Sequence, residues 1–347
     1  MPALADLAER VRIVSFMDVR RDAAEALAAD VAPWSPDARA FDDLDAMLAA
    51  GDLDAVIDLA PAPRHGAVNQ VVLDAGLALY SEKPIASTVA EADRLIETAH
   101  AAGVQFLVAP GEAATRRVQW LEELVRSGRY GRPTLAFAQH AGPGPAGWRE
   151  YTGDPRPFYG AGVGPVIDHG VYRLHQMTRL MGPVARVQAM GTVALPQRVA
   201  RGGPFAGQAI TVTTPDNVLI NLEFASGALG QLLTSFATAA TRTPWLELHL
   251  ERATISFRGE SWDRDAPVSL YIDDGTPAAE EGWIDDVEIP VDDVGVVETG
   301  VRHFIDVLSG GTEPVLTAEH ARHVLDIIGQ AYASIEDGRT HPTQTTF

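Results

Sequence analysis

Short apolar runs alternate with amphipathic stretches along the first third of the chain. Runs rich in Val, Ile and Leu predict strands, and stretches with apolar residues three or four positions apart predict helices. The predicted strands are 11–17, 55–59, 77–80 and 105–108, and the predicted helices are 21–29, 67–75 and 88–102. Gly76 and Gly103 follow the last two helices, in the position where glycine commonly ends a helix. Strands that alternate with helices indicate a parallel sheet of βαβ units.

The pattern changes after roughly Pro110, where strands begin to dominate. These predicted strands are 134–139, 184–193, 209–214, 219–224, 230–236, 246–250 and 254–257. Ser226 and Gly227 separate two of them and predict a hairpin turn. The predicted fold is therefore a parallel α/β domain over residues 1–111, followed by an α+β domain with a largely antiparallel open sheet over residues 112–347.

The remaining segments of the second domain are helices and loops. Helices are predicted over 115–127 and 318–335, and a Gly- and Pro-rich loop over 142–157. Residues 273–293 are acidic and predict a further loop. The apolar strands of this domain predict a sheet face that supports self-association.

Composition and charge restrict the partners of the protein. The 347 residues include 47 acidic and 27 basic side chains, which give a formal net charge of −20. Such a surface repels nucleic acid and anionic membranes, so neither is expected as a partner. No apolar run approaches the roughly 18 residues that a membrane span needs. Since cysteine is absent, thiol chemistry and disulfides are excluded, and a cytoplasmic protein is expected.

One basic residue differs from all the others. Lys83 is the only lysine of the chain, and every other basic side chain apart from histidine is arginine. Arginine keeps its proton near neutral pH, whereas a lysine ammonium can lose its proton when it is partly buried. The sequence therefore predicts a chemical role for a compact amine at Lys83, within the S-E-K-P segment of residues 81–84.

An acid closes the first predicted strand. In dinucleotide-binding sheets, an acid at the end of the second strand accepts hydrogen bonds from the adenosine ribose. Asp18 fits that role, although an aspartate at a strand end is also a common turn former. An acid favours NAD over NADP because it repels a 2′-phosphate, while the neighbouring Arg20 and Arg21 leave NADP open.

The glycine-rich loop that precedes such an acid by about 20 residues has no counterpart before Asp18. The expected domain therefore lacks its first strand and its phosphate-binding turn. Either the true start lies upstream or the protein lacks this loop, and a misplaced start is the physically cheaper explanation because the first strand normally lies at the centre of a buried sheet. A G-x-G-x-x-G match does exist over residues 142–147. We reject it because Pro143 and Pro145 cannot donate amide hydrogen bonds to a phosphate, and no helix is predicted after it.

Two short motifs carry a family resemblance. The segment A-P-A-P-R-H follows a predicted strand at residues 60–65, and E-K-P follows the next strand at 82–84. They resemble the T-P-x-x-x-H loop and E-K-P turn of the glucose–fructose oxidoreductase/inositol dehydrogenase (Gfo/Idh/MocA) family, with Ala60 in place of the threonine. Asp168 and Gly170 match the D-x-G-x-H motif of that family. Tyr172 stands where the family has its catalytic histidine, and His175 where it has an acid.

The resemblance implies an incomplete dinucleotide-binding Rossmann domain followed by a substrate-binding and oligomerisation domain. It implies hydride transfer between NAD or NADP and a secondary alcohol or carbonyl of a sugar or cyclitol-like molecule, in a homodimer or homotetramer. The implied catalytic residues are Lys83, Asp168 and Tyr172. The implied cofactor contacts are Asp18, Ala60, Pro61, His65, Glu82 and Lys83. Trp148 offers an aromatic face that suits a sugar or cyclitol ring, and His175 lies one helical turn beyond Tyr172, so both are expected as substrate contacts.

Each of these residues also has a structural interpretation. Tyr172 could be a packing residue, Asp168 a helix-start acid, and His175 a core or surface histidine. Trp148 could anchor a loop. The histidines do not show metal-ligand spacing, so no metal is expected. The alternative function is a non-catalytic ligand-binding or scaffold protein that keeps the fold and has lost dinucleotide binding.

Overall fold

The computed structural model describes residues 5–259, 263, 266–273 and 282–347. The helices are α1 (Arg21–Val31), α2 (Leu44–Ala49), α3 (His65–Asp74), α4 (Val89–Ala102), α5 (Arg116–Arg126), α6 (Val171–Met181), α7 (Val296–Leu308) and α8 (Ala318–Asp337). The strands of the first part are β1 (Ser15–Met17), β2 (Arg39–Phe41), β3 (Ala55–Asp58), β4 (Ala78–Ser81) and β5 (Phe106–Val108). The later strands are β6 (Pro133–Ala141), β7 (Val184–Thr192), β8 (Gln197–Val199), β9 (Ala209–Thr211), β10 (Asn217–Phe224), β11 (Leu229–Ser235), β12 (Leu246–Leu250), β13 (Ala253–Phe257), β14 (Val268–Ile272), β15 (Gly282–Ile284) and β16 (His341–Pro342).

The first compact unit contains the predicted parallel sheet, in two pieces. One piece pairs β1 with β2, and the other has the order β3-β4-β5; all these pairings are parallel. A doubly wound sheet of order 3-2-1-4-5-6 has strands 3 and 2 on one side of strand 1 and strands 4, 5 and 6 on the other. The pieces β1-β2 and β3-β4-β5 correspond to these two sides. Within the described residues, β1 and β3 each have one edge without a strand partner. Both are less buried than β4 and β5.

Helix α7 belongs to this first unit although it lies far along the chain. The unit comprises Met1–Ala114 and Asp293–Ala318, so its second segment falls outside the predicted boundary at residue 111. The Phe304 ring packs against the Tyr80 ring of β4 with centroids 5.8 Å apart. The apolar face of α7 thus completes a core around β4 and β5. A contact of this kind leaves no local signal in the sequence.

The second unit is built on a nine-stranded sheet of order β15-β14-β13-β12-β6-β11-β10-β7-β16. All of its pairings are antiparallel except that of β6 with β11, which confirms the largely antiparallel sheet. Side chains of α5, α6 and α8 form the core with one face of this sheet. The opposite face carries apolar residues that remain exposed.

Two predicted segments can be compared directly with this sheet. Gly227, with φ of +82°, lies in the turn between the antiparallel strands β10 and β11, which confirms the predicted hairpin. The predicted acidic loop over 273–293 is wrong in part, because Gly282–Ile284 pairs with β14 as an edge strand. Residues 274–281 of that loop lie outside the described residues. None of the helices that the structure describes is long and apolar enough to cross a membrane.

The close packing of α7 against the segment after β5 requires glycine at position 111. A Cβ atom there would lie 2.2 Å from the carbonyl oxygen of Val296 and 2.6 Å from the backbone nitrogen of Gly300. We therefore expect Gly111→Ala to lower the free energy of unfolding by about 1–3 kcal/mol, the usual cost of overpacking. Urea unfolding followed by circular dichroism measures this.

Gly329→Ala in α8 is the matched control for this experiment. A Cβ atom at Gly329 meets no atom within 4 Å, and alanine favours a helix by about 1 kcal/mol over glycine. The control should therefore unfold at the same urea concentration or a higher one. Equal effects of the two substitutions would show that α7 does not pack tightly at Gly111.

Candidate active site

The first helix turn of α3 connects two loops of the first unit. His65 begins α3, and its side chain is buried with 1% exposure. Its Nδ1 lies 2.7 Å from the carbonyl oxygen of Pro84, and its Nε2 lies 2.7 Å from the carbonyl oxygen of Ala60. The two loops that follow β3 and β4 are therefore held by one imidazole ring.

Asn69 lies one helical turn after His65 and contacts the same loop after β4. Its Nδ2 donates to Ser81 Oγ at 2.9 Å and to the carbonyl oxygen of Ile85 at 3.1 Å. Lys83 lies between these two anchor points, and its backbone nitrogen donates to Glu82 Oε2 at 3.1 Å. The backbone of the turn that carries Lys83 is thus fixed at both ends, and Lys83 and Glu82 are half-buried there.

A buried acid supports the loop after β3. Asp58 is the last residue of β3 and has 4% exposure. Its Oδ1 accepts a hydrogen bond of 2.9 Å from the backbone nitrogen of Ala60. Burial raises the pKa of the Asp58 carboxyl, while this hydrogen bond and the charge of His65 act in the opposite direction. Our sequence reasoning missed Asp58, although an acid at the end of a buried strand, just before A-P, was a usable signal.

Asp18 follows β1, as predicted. Its Oδ1 accepts a 2.8 Å hydrogen bond from the backbone nitrogen of Arg20, so the turn-forming interpretation of this residue is correct. The other carboxylate oxygen has no hydrogen-bond partner among the described residues, and 37% of the side chain is exposed. Arg20 Nε lies 4.0 Å from Oδ1. Asp18 can therefore form the turn and still accept a hydrogen bond from a ligand.

In the second unit, the D-x-G motif forms a π-helical turn. This turn spans Val166–Gly170 and continues directly into α6, with Val171 N donating to Val166 O. A Cβ atom at Gly170 would lie 2.8 Å from Thr234 Cγ2 of β11, so glycine lets the turn approach the sheet closely. Single π turns of this kind are frequent at functional sites. Asp168 lies within the turn, and Tyr172 follows in α6, half-buried against the core.

Asp168 is associated with an aromatic cluster that also contains Trp148. His169 Nε2 lies 3.3 Å from Asp168 Oδ2. The His169 ring stacks on Trp148 with centroids 5.5 Å apart and is tilted against the His140 ring with centroids 3.8 Å apart. The Asp168 charge also raises the pKa of Tyr151, after the larger effect of burial. The structure thus brings Asp168 and Trp148 to one region of this unit.

The sequence reasoning considered His169 only as a metal ligand, and it missed His140. His169 directly follows Asp168, and this was the available signal for it. His140 lies in β6, and no local pattern connects it with Asp168.

The structure does not support a substrate contact for His175. The ring has 4% exposure and lies with its centroid 4.7 Å from that of His320 in α8. Burial, and then the charge of His323, lower the pKa of His175 to about 3. The structure therefore places His175 in the core of the second unit. Among the described residues, no group of three His, Asp or Glu side chains could hold a metal ion.

Two family profiles match successive parts of the chain. Residues 1–109 match the profile of an oxidoreductase family with an NAD-binding Rossmann fold, and residues 118–256 match that of the GFO/IDH/MocA C-terminal domain. The protein is therefore an oxidoreductase of the Rossmann type, whose cofactor is NAD or NADP. It belongs to the Gfo/Idh/MocA family, as the E-K-P and D-x-G motifs predicted.

The individual relatives have low sequence identity with this chain. The D-apiose dehydrogenase of Paraburkholderia graminis is 24% identical over 311 residues, which are 87% of this chain and 76% of the relative. An inositol 2-dehydrogenase of Paracoccus denitrificans is 30% identical over 139 residues, 38% of each chain. The solved structure of an NAD binding oxidoreductase from Klebsiella pneumoniae has a TM-score of 0.81 at 20% identity, and covers 98% of this chain and 95% of that one.

Two parts of the first unit are suited to bind a nicotinamide dinucleotide, namely the Asp18 turn and the loops after β3 and β4. The second oxygen of Asp18 is available to a ribose hydroxyl, and the loops at Ala60 and Lys83 follow the carboxyl ends of parallel strands. Ligands of such sheets bind at that edge. When bound, the cofactor accepts or donates a hydride.

The buried His175 makes folding sensitive to acid. The unfolded chain binds a proton at this histidine near pH 6.5, whereas the folded protein does so only near pH 3. The stability associated with neutral His175 is therefore complete above pH 6.5 and is lost as the pH falls towards 3. Between pH 7 and about pH 4.5 this effect amounts to about 2–3 kcal/mol. Between pH 7 and about pH 4.5, the free energy of unfolding of His175→Leu should therefore fall by about 2–3 kcal/mol less than that of the wild-type protein.

Urea unfolding at the two pH values measures the difference, and Leu174→Ala is the control. Leu174 is fully buried beside His175 in α6, so its loss lowers stability without removing a titrating group. The control should therefore keep the pH difference of the wild-type protein. If His175→Leu also keeps it, His175 is not the neutral core residue described here.

Proposed function

We propose that the protein transfers a hydride between NAD(P) and a secondary alcohol or carbonyl of a sugar or cyclitol-like molecule. The position of Lys83 carries this proposal, because the only lysine of the chain lies in a turn that is fixed at Ser81 and Ile85. Relatives named for D-apiose and inositol support this substrate class. Trp148 supports it as well, since aromatic faces commonly stack against the apolar side of a ring.

The oxidation requires that a hydride and a proton leave the same alcohol. The C–H electron pair goes to the cofactor, the O–H proton goes to a base, and the remaining pair forms the carbonyl bond. We assign the base to Tyr172 in its phenolate form and the hydrogen bond to the substrate oxygen to Lys83 Nζ. Asp168 orients a second hydroxyl. Acid–base assistance of this kind contributes about 10²–10⁴-fold to the rate.

NAD is the proposed cofactor of the two. The second carboxylate oxygen of Asp18 suits a 2′-hydroxyl and repels a 2′-phosphate. Arg20 lies near this carboxylate, with its Nε 4.0 Å from Oδ1, and weakens the repulsion. The preference for NADH over NADPH should therefore be present and modest.

Calorimetric titration with NADH and NADPH, followed by assays on inositols and aldoses, tests the proposal. Lys83→Met should lower kcat by about 10²–10⁴-fold while NADH binding stays within about threefold. Lys83→Arg should lose activity too, because a planar guanidinium does not replace a compact ammonium as the hydrogen-bond donor to the substrate oxygen. An unchanged kcat in Lys83→Met contradicts the role of the amine. If neither cofactor binds to this chain or to a version extended upstream with a glycine-rich strand–turn–helix, the non-catalytic ligand-binding alternative replaces the proposed hydride transfer.

We also propose that the protein is a homodimer or homotetramer that associates through the open face of the nine-stranded sheet. Cross-strand neighbours Met190 and Leu219 lie on this face with 74% and 43% exposure. Phe137 and Leu229 extend the apolar area, with 42% and 53% exposure. Exposed apolar areas of this kind mark interfaces, and a self-complementary patch suits a twofold axis.

Light scattering coupled to size-exclusion chromatography measures the association. The wild-type protein should elute with the mass of a dimer or tetramer, and Leu219→Lys should shift it towards the monomer. Val297→Lys is the control, because Val297 is 50% exposed on α7 of the first unit. A monomeric wild-type protein, or the same mass for Leu219→Lys as for the control, contradicts the interface.

A further inference from the structure

Both ring nitrogens of His65 lie close to backbone carbonyl oxygens. Nδ1 lies 2.7 Å from Pro84 O and Nε2 lies 2.7 Å from Ala60 O. Carbonyl oxygens only accept hydrogen bonds, and a neutral imidazole has one N–H and one lone pair. A neutral ring would therefore place a nitrogen lone pair against an oxygen lone pair at hydrogen-bonding distance. A ring that is protonated on both nitrogens satisfies both contacts.

The charges around His65 suit such a cation. Asp58 is buried at the end of β3, and its Oδ2 has no hydrogen-bond partner among the described residues. The Glu91 carboxylate of α4 lies against Gly66, where a Cβ atom would come within 2.0 Å of Oε1. Glu82 and Lys83 belong to the loop that His65 contacts, and their charges have opposite signs. The segments next to His65 thus carry three acids against two cations, Lys83 and the exposed Arg64, which leaves a net negative charge.

We propose that His65 is a positioning residue whose doubly protonated ring holds the Ala60 loop and the Lys83 turn at a fixed separation. This role rests on the proposed function, because those two loops carry the predicted cofactor contacts. Asn69 fixes the Lys83 turn itself, whereas His65 contacts both loops. Loss of His65 therefore loosens both loops and changes their spacing, while Asn69 still holds the Lys83 turn to α3.

The first test detects the ring protons directly, in the protein without cofactor. Nitrogen NMR of ¹⁵N-histidine-labelled protein at about pH 7.5 should show both ring nitrogens of His65 protonated, where a histidine in water has mostly lost one proton. The His65 signals are those that disappear in His65→Gln. A ring with one unprotonated nitrogen overturns the proposal, and this result does not depend on enzymatic activity.

The second test measures the effect on the loops. In His65→Gln, amide hydrogen exchange should rise at least tenfold in peptides that cover residues 58–65 and 81–85. The KM for the cofactor should rise about tenfold, with kcat within about threefold of wild type. Ala67→Gln is the control, since it places the same side chain at an exposed position of α3, and it should change neither quantity.

Asp58→Asn supplies a second variant in case His65→Gln does not fold. Removal of this carboxylate should cause one His65 ring nitrogen to lose its proton at about pH 7.5. A doubly protonated ring without any change in loop exchange in His65→Gln would overturn the positioning role. Altered exchange in a protein that binds no dinucleotide would keep the positioning role and would reject the proposed function.

Discussion

The parallel register of β3 and β4 determines where the candidate cofactor residues lie. Ala55 pairs with Ala78 and Asp58 with Ser81, so the two strands end side by side. The loops at Ala60 and Lys83 therefore begin at the same edge of the sheet. A slip of one residue would displace one loop by about 3.3 Å along the strand. That displacement exceeds the tolerance of a hydrogen bond, and His65 could then no longer contact both loops.

A helix is a suitable element for holding these loops. Side chains four positions apart lie on one face of a helix, and His65 and Asn69 use this spacing to reach the loop after β4 at separate points. Loops alone hold reactive groups less accurately than loops that are fixed by regular elements. The arrangement thus positions the backbone of the Lys83 turn through side chains of α3, and it does so within the first unit.

The parts of the fold and of the candidate site that have a local sequence signal could be predicted from the sequence. Apolar runs located β3, β4 and most strands of the second unit, and the E-K-P motif located Lys83. The short strand β2 was missed because its three residues are only partly buried. Helix α7 was not predicted, and its place in the first unit has no local signal, because its contact with Gly111 joins positions that are distant in the chain.

The expectation for His175 shows a different limit, which lies in helix geometry. Tyr172 and His175 are three residues apart in the regular helix α6, and this spacing predicted that both face one pocket. Three residues turn a helix by about 300°, so the two side chains are about 60° apart around its axis. Tyr172 is half-buried at the edge of the core, whereas His175 is buried against His320 of α8. A spacing of three residues therefore places two side chains on neighbouring strips of a helix, and the elements that pack against the helix decide which of them is buried.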